Sequence, residues 1–157
     1  MTKFKRPKPR FDRDLANDGR WIYIDDAVTG EEYGGFLCGL FDPSVPRIRL
    51  AAERQAKMAS YQARGKRPNN YDKTRESVEW FVETCLFDWD MKDEDDKPIK
   101  FTKPLAVEYF MTAETDDKTG EKIFIYDYVF QRLFEASRDV SNFQSLDQNE
   151  AGDPAKN

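Results

Sequence analysis

Thirty carboxylates and no histidine set the chemical options of this chain of 157 residues. Without histidine there is no Ser-His-Asp triad, no Cys-His pair and no His-ligated zinc or haem site. The two cysteines, Cys38 and Cys85, cannot form a four-cysteine metal site and make a poor disulfide framework, which fits a reducing compartment. A nucleophilic cysteine needs a cation or a helix N-terminus beside it. Cys38 lies in an apolar strand-like run and Cys85 late on an apolar helix face, so both read as core. The run Asp88–Asp96 (DWDMKDEDD) resembles a cation loop at first sight. An EF-hand needs an oxygen ligand at its fifth loop position and glycine at its sixth, and counting from Asp88 those positions hold Lys92 and Asp93. Carboxylate catalysis needs one acid in an apolar pocket and a second one solvated, and no such asymmetry is visible. Gly34, Gly35 and Gly39 belong to neither a P-loop nor a dinucleotide fingerprint. The expectation is a non-catalytic protein without metal or cofactor.

Charge is divided unevenly. The first ten residues hold Lys3, Lys5, Arg6, Lys8 and Arg10 and no acid, which leaves the remainder at −10 of the net −5. A basic arm over 1–17, kept from helix by Pro7 and Pro9, and a polar tail over 144–157 are expected to be disordered around one domain, 18–143. An acidic chain with one short basic cluster makes nucleic acid an unfavoured partner. No apolar run long enough to span a membrane and no signal-peptide pattern are evident.

The elements that must position any site follow from periodicity. Trp21–Ile24 and Tyr33–Phe41, joined by a turn around Gly30, predict a two-stranded antiparallel hairpin that must pack on helices. Good helix formers predict a helix over 45–64, whose face of Ile48, Ala51, Ala52, Gln55, Ala56 and Ala59 suits close approach of another helix, with Gly65 ending it. Val78, Phe81, Val82, Cys85, Leu86 and Trp89 form one helical stripe behind an Asp72 cap. An acidic loop follows over 88–97, then a Thr102-capped helix carrying Leu105, Ala106, Tyr109 and Phe110, a polar loop over 115–120, and a last helix over 121–142. The predicted class is mainly α (α+β), a small helical bundle with an N-terminal hairpin. Aromatic side chains on or beside these stripes, Trp80, Phe87, Trp89, Phe101, Tyr109, Phe130 and Phe134, are the candidate partner-contacting residues. The breadth of the stripes also suggests self-association.

The stretch Glu83–Asp90 (ETCLFDWD), then Asp93–Thr102 (DEDDKPIKFT), an apolar helix, and Val140–Phe143 (VSNF) resembles tail assembly chaperones of long-tailed bacteriophages. In that family a helix ends in an Asp-Trp pair, an acidic turn leads to a Pro-apolar-x-aromatic-Thr segment, and a closing helix ends near Asn-Phe. The likeness covers about 21–143 and includes the opening strands. Asp96 stands where the family often has glycine, and the basic arm is not a family feature. The resemblance implies a non-enzymatic protein of the infected cell's cytoplasm, absent from the finished virion. It would coat the tape measure protein and recruit major tail tube subunits. A small acidic phage protein that binds and inhibits a host enzyme is the alternative.

Overall fold

The structure, a computed structural model, describes residues 2–62 and 69–145, without the side chains of 59–62. It corrects the predicted helical bundle: the chain is 44% helical and 19% strand, with a three-stranded antiparallel sheet and a separate two-stranded one. The Gly65 stop and the polar tail from residue 146 onward lie outside the described residues.

Ordered structure begins inside the stretch read as arm. Helix α1 (Arg13–Asp18) is capped by Asp12, whose Oδ1 accepts from Asp14 N at 2.8 Å, and it buries Ala16. Gly19 then takes a positive φ of 90° and turns the chain into β1 (Arg20–Asp25). Strand β2 (Glu32–Cys38) pairs with β1, and β3 (Leu86–Asp90) pairs with the other side of β2, so the expected hairpin is the first two-thirds of a sheet. Ile24, Phe36, Cys38, Leu86 and Trp89 line its buried face. Past β2, Gly39 N donates to Cys85 O, Leu40 N to Ala16 O and Phe41 N to Ser137 O. Three different elements thus satisfy the strand's continuation. The fully buried Ser137 adds its hydroxyl to Gly39 O at 3.0 Å.

Helix α3 (Asn70–Cys85) is capped by Asn69 rather than Asp72, with Asn69 Oδ1 accepting from Asp72 N at 2.8 Å. It buries Val78, Phe81, Val82 and Cys85 as the periodicity requires, but stops there. Leu86 and Trp89, predicted on the same stripe, belong to β3. Leu37 faces Asp88 while Cys38 faces Leu86, so Phe87 is an extra residue in the ladder. The bulge lets an alternating Asp88-Trp89-Asp90-Met91 run, exposed and buried in turn, follow directly on a helix. The acidic loop therefore starts after Asp90, as a turn in which Asp93 Oδ1 accepts from Asp95 N and Lys97 N, both at 2.9 Å.

Helix α4 (Lys103–Phe110) has the expected Thr102 cap, and Pro104 sits in its first turn, where a missing N–H costs nothing. The polar loop over 115–120 is instead the turn of a second hairpin, β4 (Ala113–Thr115) with β5 (Lys122–Phe124). Helix α5 consequently starts at Asp127 rather than at 121 and ends at Arg138, followed by a 3₁₀ turn, Val140–Phe143. Phe36 of the sheet meets Phe110 of α4, and Phe81 of α3 meets Phe130 of α5, so these helices cover one sheet face. Helix α2 (Pro46–Gln62) is only rooted in the body. Ile48 is buried and Ala51 and Gln55 are half-buried, but Ala52 and Ala56, predicted in a helix contact, are exposed, as are Leu50 and Met58.

Candidate partner-binding cleft

On α3, Glu76, Glu79, Trp80 and Glu83 recur three and four residues apart, so they form a second face beside the core stripe. Gln55 of α2 and Lys103, Pro104 and Val107 of α4 stand against that face, and together with Val82 they enclose an open cleft of about 550 Å³. Its floor is apolar (Trp80, Val82, Pro104, Val107) and its rim is mainly carboxylate. Two of the acids are held by cations. Arg75 Nε donates to Glu79 Oε1 at 2.8 Å, and Lys103 Nζ lies 3.9 Å from Glu83 Oε1 while donating to Glu83 O at 2.7 Å. Glu76 has no ion pair among the described residues.

Trp80 is the pivot of this region. Its ring meets Phe41 edge-on, 4.6 Å between centroids, and also walls a smaller neighbouring cavity lined by Arg47, Ala51, Arg54 and Thr84. Its Nε1 is buried and has no hydrogen-bond partner among the described residues. A buried N–H without an acceptor costs about 1–3 kcal/mol.

The other six candidates are placed elsewhere. Trp89 is 5% exposed, donates from Nε1 to Ile99 O at 2.8 Å and meets Phe101 edge-on at 5.2 Å. Tyr109 stacks on Tyr126 at 4.1 Å, and burial, then the Tyr126 hydroxyl, push its pKa up. Phe130 is buried between Phe81 and Phe110. Phe134, half-buried, rests on Phe41 and Phe81 and lies under the Arg138 guanidinium. Phe87, also half-buried, lies under Arg47, 5.2 Å from ring centroid to guanidinium carbon. Of the seven, Trp80 reaches the cleft. The sequence reading passed over Glu76, Glu79 and Glu83, although their spacing around Trp80 is a legible signal. Gln55 and Val107 arrive through tertiary packing, which no local pattern announces.

Neither thiol is poised for reaction. Burial raises the pKa of Cys38, with Cys85 adding to it, and burial likewise raises Cys85. Among the described residues no three His, Cys, Asp or Glu side chains converge as metal ligands, and no helix is long and apolar enough to cross a membrane. Comparison of the chain with family models, with curated proteins and with solved structures finds no match.

Proposed function

We propose that this chain is a non-catalytic binding protein, a tail assembly chaperone of a long-tailed phage. It acts in the cytoplasm of the infected cell, holding the tape measure protein and passing it to tail tube subunits. The observation that carries the reading is the cleft between α2, α3 and α4, whose apolar floor and carboxylate rim suit an amphipathic helix with basic flanks. Asp96 departs from the family, which often has glycine there, yet it keeps a backbone conformation that glycine favours: at φ 62° it is the only non-glycine residue with positive φ among the described residues. Modest affinity at each cleft, repeated along a long rod, would cover the rod and still permit displacement.

The test is co-expression with a tape measure protein. A soluble complex is expected from the wild type, and Trp80→Lys, which puts a charge on the cleft floor, is expected to abolish it while leaving the chain folded. A tape measure protein that stays insoluble and unbound, with no tail tube subunit captured either, overturns the reading. Retention of one host enzyme at high salt instead would establish the inhibitor alternative.

A further inference from the structure

The sheet face turned away from the helices carries an ordered set of side chains that the cleft does not use. Strand pairing places Trp21, Leu37 and Asp88 in one row across β1, β2 and β3, and Tyr23, Gly35 and Asp90 in the next row but one. Residues paired in this way point to one face. Trp21 is 40% and Tyr23 69% exposed, and both aspartates are exposed. Each row therefore runs from an aromatic ring to a carboxylate across two strand spacings, about 10 Å. Gly35 makes the second row flat: a Cβ there would fall 2.7 Å from Tyr23 Cε1, so the tyrosine ring lies across the strand towards Asp90. Neither aspartate has an ion pair among the described residues. A ring at one end of a row and a carboxylate at the other can hold an ammonium group between them, over Leu37 in the first row and Gly35 in the second. The Arg47 guanidinium over Phe87 shows this chain already using a cation-ring contact.

The complementary element is in the same chain. Lys3 and Lys5 are two residues apart, about 6.7 Å when extended, which matches the spacing of the two rows along β1. Pro7 and Pro9 keep the following stretch extended. The arm's root is tied elsewhere, by Asp12 N to Phe143 O at 2.8 Å and Gln144 Nε2 to Arg10 O at 3.2 Å. Residues 2–10 are exposed throughout, with Phe4 at 87%, so the arm is not seated on its own body.

We propose that the outer face of the three-stranded sheet receives the basic arm of a second copy of this chain, with Lys3 and Lys5 held between the rings of Trp21 and Tyr23 and the carboxylates of Asp88 and Asp90. The donor and acceptor surfaces differ, so each contact is head-to-tail, and association closes by reciprocal arm exchange or as a ring, or else extends as an open chain. It does not depend on the tape measure reading, since it uses neither the cleft nor Trp80.

Sedimentation velocity on the full chain tests it. At about 50 mM salt the mean mass is expected to rise with concentration above the 18.4 kDa monomer, and at about 500 mM to return to it. Lys3→Gln/Lys5→Gln and Asp88→Asn/Asp90→Asn are each expected to stay monomeric alone, with unchanged circular dichroism. Mixed in equal amounts they should form a one-to-one dimer and nothing larger, because only one intact arm and one intact face remain. Trp21→Ala should weaken association about two- to five-fold. A wild type that stays monomeric at low salt overturns the proposal, even if its Trp21 emission responds to salt, since that would mean an arm folded onto its own sheet. So does association that neither neutralised variant reduces, or a mixture that stays monomeric. Should the aspartate variant not fold, the lysine variant and the salt series still decide the outcome.

Discussion

Trp80 and Trp89 lie nine residues apart, on a single predicted helical stripe and its border, yet the fold gives them opposite conditions. Trp89 sits on β3 with its indole N–H donated to Ile99 O and its ring enclosed by Phe101 and Tyr109. Trp80 sits on α3 with one good ring contact, to Phe41, and an indole N–H that is buried and unmet. The same side chain is enclosed in the core at Trp89 and lines an open cleft at Trp80. An aromatic residue is thus better sorted by what encloses it in three dimensions than by its place on an apolar face.

The sharpest way to break the comparison is truncation. Trp89→Ala removes a fully packed ring and orphans Ile99 O, so a loss of about 3–5 kcal/mol in unfolding free energy is expected by urea denaturation. Trp80→Ala should cost less than half as much, because the ring leaves a cleft wall rather than a closed core. Its larger effect belongs to binding, where loss of a central aromatic anchor is worth about 2 kcal/mol, or about thirty-fold in affinity for the tape measure protein. Equal stability losses for the two variants would erase the distinction and place Trp80 in the core.

The thiols near the helix-to-strand junction sharpen it further. Cys85 ends α3 between the two tryptophans, and Cys38 lies across from Leu86 on β2. Burial raises both pKa values, so the folded protein keeps protons that the unfolded chain gives up. Stability is therefore intact below the ordinary thiol pKa of about 8.5 and falls above it, by at most about 1.4 kcal/mol per pH unit for each thiol. Denaturation at neutral and alkaline pH measures the slope. The double variant Cys38→Ala/Cys85→Ala should flatten it, and a wild type without the slope would show that water reaches the junction.

How much of this was legible depends on which period the residues obeyed. The α3 stripe was readable to Cys85, and so was the Thr102 cap. The switch at Leu86 was not, because positions 86 and 89 extend a 3.6-residue stripe from Val78 and also fit a bulged strand. Local spacing cannot choose between them, and pairing with β2 does. The arm boundary failed for a related reason, since Ala16 is buried by long-range contacts to Leu40 and Arg47 that no nearby residue signals. Trp80 was identified as a candidate for its place beside the stripe, whereas its unmet N–H and the α2 and α4 walls exist only in three dimensions.

The second hairpin is a different case, because its signal was present. Asp26-Ala27-Val28-Thr29-Gly30-Glu31 and Asp116-Asp117-Lys118-Thr119-Gly120-Glu121 share one D-x-x-T-G-E pattern, and they fold alike. In each turn the aspartate carboxylate accepts from the N–H two residues on, at 2.9 and 3.0 Å, and its backbone oxygen accepts from the glycine N–H, at 2.7 and 2.8 Å. Gly30 and Gly120 have φ of 77° and 72°, and a Cβ on either would meet nothing within 4 Å. Alanine at either site should then cost only backbone strain, about 1 kcal/mol. What surrounds the turns should separate the outcomes. β1 and β2 carry the core through Ile24 and Phe36, so Gly30→Ala is expected to lower global unfolding free energy by that amount. β4 and β5 have no buried residue, so Gly120→Ala should raise amide exchange within that hairpin and leave the global transition almost unmoved. An equal global loss from both would mean that the small hairpin unfolds only with the core, coupled through its Tyr71–Phe124 stack to α3.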